Sequence, residues 1–273
     1  MTAQRHTFFP REHGATAMLL TPFAAVAILA RTIRWQEAAA VVTVVVAFAM
    51  KDPLVVLARQ WWVWKQPHPE TPTAIRWVAA ETAVVAICGL ALMASGSWVH
   101  YAVLFCGAAM FLVLAVWVNM RNRQRATIFQ VASAVALTST SLVAALAATD
   151  KTPGWCWRLW GLLAAQAAAG IFTVHARLDA RVAARKAGGS ENVSASRRSA
   201  LVIDALLAVG GVVATLAGNY WIGGALLLVA AVCGWDLRRQ LDPGSLQMPL
   251  RIVGIQNLSL SLLYAAMLVA AFW

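Results

Sequence analysis

Five consecutive residues ahead of the first apolar run, Pro10-Arg11-Glu12-His13-Gly14, set a guanidinium, a carboxylate and an imidazole beside a glycine that permits close backbone approach. Glu12 can serve as base or ligand and His13 titrates near neutrality, so both are candidates for acid-base work. The plain alternative is a helix entry with a snorkelling arginine. A second constellation reads His175-Ala-Arg177-Leu-Asp179-Ala-Arg181-Val-Ala-Ala-Arg185. His175 and Asp179 are four apart and share a helical face, as do Arg177, Arg181 and Arg185. The imidazole and carboxylate could hold a metal or simply bond each other. The arginine row suits a phosphate or diphosphate, or else lipid headgroups. Asp52 completes the catalytic candidates Glu12, His13, Asp52 and Asp179. The binding candidates are Arg59, Arg121, Arg125, His175, Arg177 and Arg181, with the amides of Gln256 and Asn257 expected in or near a helix bundle.

These side chains can only be positioned by membrane helices. Hydrophobic residues make up 61% of the 273 and charged residues 12%, far from the soluble average. Polar breaks leave apolar runs at about 15–30, 38–50, 78–95, 98–118, 126–149, 159–174, 200–218, 221–235 and 252–273. Several runs fall short of the roughly 20 residues a span needs. They must therefore extend through charged flanks such as Lys51 to Arg59 and His175 to Arg181. Of the 22 Lys and Arg residues, the gaps after odd-numbered runs hold only Arg31, Arg34, Lys151 and Arg158. The rest crowd the N-terminal arm and the alternate gaps. Short basic loops stay cytoplasmic, which predicts a cytoplasmic N-terminus (arm 1–13), a flexible cytoplasmic loop over 186–199 and an external C-terminus. The same account absorbs the net charge of +11, so nucleic acid is not an expected partner.

The first run does not read as a cleaved signal peptide, because its polar leader is long and no cleavage site follows. The four cysteines lack CxxC or Cys/His spacing, with Cys88, Cys106 and Cys233 in apolar runs and Cys156 in an outer loop. The tryptophans fit interface anchors rather than a base-stacking surface. Among the 11 acidic residues, Glu81 and Asp204 lie a few residues into apolar runs. An ionisable group at that depth is a functional candidate by default, with pairing to Arg76 or Arg198 as the plain alternative. Pro22 is the one mid-helix breaker evident.

The Pro10–Gly14 string, together with the last helix, Arg251-Ile-Val-Gly254-Ile-Gln256-Asn257-Leu-Ser259-Leu-Ser261-Leu-Leu-Tyr264, resembles the YwiC-like family of bacterial membrane proteins. In plan, though not in motif, the chain is also similar to UbiA-type prenyltransferases. That similarity implies nine helices, an inside N-terminus and diphosphate-binding loops after helices 2 and 6. Those enzymes hold Mg²⁺ on aspartate-rich motifs. Here Asp52 and Asp179 stand alone among Arg59, Lys65, Arg181 and Arg185. A hard cation wants several oxygen ligands, so neither metal nor cofactor is expected, and each aspartate should pair with arginine, lysine or histidine.

The expectation is thus an all-α, polytopic integral membrane protein of about nine transmembrane helices, one transmembrane domain over 1–273 with a UbiA-like bundle, in a bacterial inner membrane. Its basic cytoplasmic cavity would bind, with transformation left open, an anionic amphiphile of the isoprenoid diphosphate or quinone-precursor type. The alternative is a non-catalytic membrane subunit or assembly factor docking a protein partner. A transporter ranks third, for want of broken helices near the midplane, and a haem protein fourth, since His100 and His175 map to opposite sides.

Overall fold

In lipid a backbone has only itself to hydrogen-bond with, so a long apolar stretch is driven into helix. Helix dominates the computed structural model, which describes residues 13–66, 68–185 and 190–273, and no strand occurs among them. The order is α1 (His13–Ala30), α2 (Trp35–Ala49), α3 (Lys51–Arg59) with a π-turn (Gln60–Trp64), α4 (Thr71–Ala94), α5 (Trp98–Met120), α6 (Thr127–Thr138) and α7 (Thr140–Thr149). There follow α8 (Gly154–Arg185), α9 (Ser190–Leu216), α10 (Tyr220–Arg239), the short α11 (Pro243–Leu246) and α12 (Leu250–Phe272). Among the described residues eight spans are long and apolar enough to cross a membrane: α2 through the π-turn, α4, α5, α6 with α7, α8, α9, α10 and α12. α1 is the shorter addition, at 18 residues. Its rise of about 27 Å approaches the roughly 30 Å of hydrocarbon. The chain is an all-α, multi-pass membrane protein.

Two expectations need correcting. The polar segment 186–199 is helical from Ser190 onward. Apolar character marks only the lipid-facing part of a helix, and a polar extension keeps its internal hydrogen bonds. Ser196 moreover donates to Asp179, tying that extension to α8. Nor is Pro22 a break: it is fully buried inside an uninterrupted α1. The interruptions fall at Met50, between α2 and α3, and at Ser139, between α6 and α7. Pro53, which has no N–H, cannot serve the carbonyl of Ala49 four residues back, which accounts for the break at Met50.

The chain divides into two compact units, 1–129 with 139–156, and 130–138 with 157–273. In the first, α7 is the core: Thr140 to Ala148 are all buried, and α7 packs on α1, α2 and α5. Its small side chains allow that closeness, and the Thr140 hydroxyl donates to the carbonyl of Leu19 at 2.7 Å. α4 packs against α2, α3 and α5. Arg34 donates to Asp150 at 2.7 Å and to the carbonyl of Ala148 at 3.2 Å, pinning the start of α2 to the end of α7. In the second unit α9 and α10 form the most intimate pair, joined by α12 along α10. Ala176, Ala200 and Leu237 make a core cluster among α8, α9 and α10, with Phe172 against it.

Candidate functional site

The second unit gathers most of the polar side chains singled out above. α8 carries His175, Arg177, Asp179 and Arg181 on its C-terminal half. Arg177 is only 1% exposed, which a guanidinium inside a membrane protein tolerates only with partners. Its Nη2 pairs with Asp236 of α10 and its Nη1 donates to the carbonyl of Ser245 at 3.0 Å. Gln240 donates to the other Asp236 oxygen at 2.9 Å and to the carbonyl of Thr173 at 3.3 Å. One turn further along α8, Arg181 donates from Nε to the carbonyl of Leu246 and from Nη2 to that of Met248. Both arginines therefore face the segment around α11. Asp242 caps that short helix, accepting from the amides of Gly244 and Ser245 at 3.2 Å. Arg185 is exposed.

His175 and Asp179 do not meet. The imidazole Nε2 lies 2.9 Å from Gln130 Oε1 of α6, while Asp179 accepts from the Ser196 hydroxyl. Among the described residues Asp179 bonds this hydroxyl of α9 rather than the basic side chain expected. Among the described residues no group of three His, Cys, Asp or Glu side chains is placed to hold a metal ion. Asn257 is half-buried, with its carbonyl accepting from Ser261 at 2.9 Å, and Gln256 is exposed rather than buried. The inward polar positions of α12 are instead Ser261, which accepts from Gln166 at 2.9 Å, and Tyr264, whose hydroxyl donates to the carbonyl of Leu162 at 3.0 Å. Asp204 of α9 lies against Gly234 of α10, and its Oδ1 is buried without a partner.

The first unit holds the remaining candidates. Asp52 pairs loosely with Lys51 at 3.7 Å, a basic partner as expected. Arg59 is engaged at three acceptors: the carbonyl of Asn119 at 3.1 Å, Asn119 Oδ1 at 3.3 Å and Asn122 Oδ1 at 3.2 Å. Asn122 takes a positive φ of 54°, the left-handed conformation that asparagine tolerates best among side chains with a Cβ. The turn so formed presents Arg121, Arg123 and Arg125, all exposed, and the Arg121 guanidinium lies 4.4 Å over the Trp117 ring. Glu81 is 6% exposed, and its Oε2 has no partner. The pairing with Arg76 is not made, because Arg76 stands exposed on the first turns of α4. Glu12 and the side chain of His13 lie outside the described residues. Cys156, placed by sequence in a loop, is buried in the first turn of α8 and bonds the carbonyl of Pro153 at 2.9 Å.

Sequence reasoning missed Asp236, Gln240 and Ser245. The signal was present in Asp236: a lone acid closing an apolar run needs a cation, and α8 offers a row of them.

Comparison with known proteins agrees with the resemblance drawn from the N-terminal string. The family model described as YwiC-like protein matches residues 9–147, just over half of the chain. The match takes in Pro10–Gly14 and ends before α12. No curated protein and no solved structure gives a match. With eight spans, a shorter apolar helix and this match over its first half, the chain belongs to the YwiC-like family.

Proposed function

We propose that the protein binds an anionic amphiphile at the basic end of its first unit, in a bacterial inner membrane with the N-terminus cytoplasmic and the C-terminus external. The observation that supports this reading is the Arg59 contact set. It brings the end of α3 beside the turn after α5, so that Arg121, Arg123 and Arg125 project from an anchored turn. The guanidinium groups of Arg123 and Arg125 take no partner among the described residues. Three cations within five residues, with no acid between them, favour a phosphate-type head through charge-assisted bonds. Exposed Trp61, Trp62 and Trp64 in the neighbouring π-turn suit the membrane interface, where the head of such a molecule lies above its tail. An isoprenoid diphosphate or quinone precursor has this chemistry. Arg177 and Arg181 spend their donors inward, on Asp236 and the carbonyls around α11, which favours the 121–125 turn for the contact.

Lipid mass spectrometry of the purified protein tests the reading. Arg123→Ala and Arg125→Ala should each lower retention of a co-purified anionic lipid about tenfold or more, at roughly 1.5–3 kcal/mol per charge-assisted contact. Equal lipid content in variants and wild type would sink it. Loss of a co-purifying membrane protein, with lipid content unchanged, would instead support the docking-subunit reading.

Orientation has its own check. Reporter fusions at residues 122 and 244 should read cytoplasmic, and one at 152 external. An external signal at 122 reverses the proposed topology.

A further inference from the structure

We propose that Glu81, buried on α4 with one carboxylate oxygen unpartnered, is an intramembrane proton-binding site. Four observations bear on it, all within the first unit. Glu81 is 6% exposed, and its Oε2 is inaccessible and without a hydrogen-bond partner among the described residues. A buried carboxylate in that state is far better accommodated with a proton on it. Glu81 lies inside the Thr71–Ala94 span, a few residues into its apolar run.

The neighbouring span, Trp35–Trp64, carries a proline at Pro53. α3 packs on α4 and begins at Lys51, immediately after the break. At about 1.5 Å per residue, Lys51 lies roughly 24 Å from Trp35 and roughly 20 Å from Trp64, inside a single 30-residue span. The Ala49 carbonyl, deprived of its usual donor by Pro53, belongs to this break. Ionisable residues held inside a membrane span mark proton and cation pathways in membrane proteins.

The charged neighbours are few. On the helices packed against α4, Asp52 lies within electrostatic reach of Glu81, with Lys51 paired to it. Arg59 of α3 is committed to Asn119 and Asn122. Glu37 of α2 is engaged by Thr32 and the Arg34 amide at the opposite end of that helix. On α5, His100 and Tyr101 lie in the first turn, where the Tyr101 hydroxyl is buried without a partner, and Cys106 is exposed. Arg76 on α4 itself is exposed. The Asp52 side chain is 41% exposed, so a more open acid lies within electrostatic reach of the closed-off one. That is the order a proton needs to reach Glu81, which takes it up on Oε2 and becomes a neutral carboxylic acid.

Dicyclohexylcarbodiimide, a lipid-soluble reagent for protonated carboxyls, tests this on the full-length protein in liposomes. The acid O–H adds across one C=N bond to give an O-acylisourea, which rearranges to a stable N-acylurea with nothing lost. Peptide mapping of the wild type should find the adduct on Glu81 at neutral pH and its loss at alkaline pH, unchanged by sodium or potassium chloride. The Glu81→Gln variant should lack both the adduct and the infrared carbonyl band of a protonated carboxyl. Because the mapping uses the wild-type chain, it holds even if that variant fails to fold. An unmodified Glu81 at neutral pH overturns the proposal. Protection by sodium or potassium ions overturns it too, in favour of a site for the metal cation.

Discussion

Arg177→Ala is expected to lose about 3–5 kcal/mol of stability, enough to deplete folded protein in detergent, as read by size-exclusion profile and thermal melting. The reasoning begins with burial. Arg177 is 1% exposed and its ion-pair partner, Asp236, has a side chain 23% exposed. Removing the guanidinium strands that carboxylate with only Gln240 for company and frees the carbonyl of Ser245. The linker around α11 then loses its hold on α8 at Arg177, keeping only Arg181. A paired replacement separates charge from shape. Arg177→Met combined with Asp236→Leu removes both charges and leaves apolar volume, so it should recover most of the folded yield. A single variant as stable as wild type would show that the pair contributes little. A double variant that folds yet loses function would move Arg177 from structural clamp to functional residue.

Gly223→Ala should destabilise by about 1–3 kcal/mol, by forcing apart the two most closely packed helices of the second unit. A Cβ at Gly223 would sit 2.8 Å from the carbonyl oxygen of Gly211 and 2.9 Å from the Thr215 nitrogen. Both are backbone atoms of α9 and cannot swing away. The reciprocal position is equally tight, since a Cβ at Gly211 would meet Leu227 Cγ at 2.8 Å. Small residues are how membrane helices reach such contact, because lipid offers no hydrophobic force between them and van der Waals packing must suffice. The adjacent Gly224→Ala is the control. Its Cβ would meet only the flexible end of Met267, at 3.3 Å, and the melting temperature should barely move. Equal losses at 223 and 224 would point to helix flexibility rather than to the α9–α10 contact.

How much of the site was legible follows from what kind of property each residue expresses. Glu81 could be marked from sequence as an acid too deep in an apolar run, since depth is a one-dimensional quantity. Its missing partner could not be foreseen, because Arg76, five residues earlier, had to be located on the exposed side of the first turns of α4. The same holds at His175 and Asp179. Helical spacing correctly puts them on one face, yet Gln130 and Ser196 arrive from different helices and draw them to separate bonds.

Sequence by itself determined the membrane character, the near-positions of the spans, the family resemblance and the set of ionisable groups held at depth. All of these depend on composition and on order along the chain. Lipid enforces them residue by residue, by leaving the backbone no partner but its own helix. Tertiary structure alone decided that Arg177 and Arg181 grip the segment around α11, and that Arg59 anchors the Arg121–Arg125 turn. It also decided that Glu81 is buried with its Oε2 unpartnered among the described residues. Each depends on which helix comes alongside, and that is set by close packing such as Gly223 on Gly211. Such packing joins residues far apart in the chain through shape, and leaves no period or motif behind.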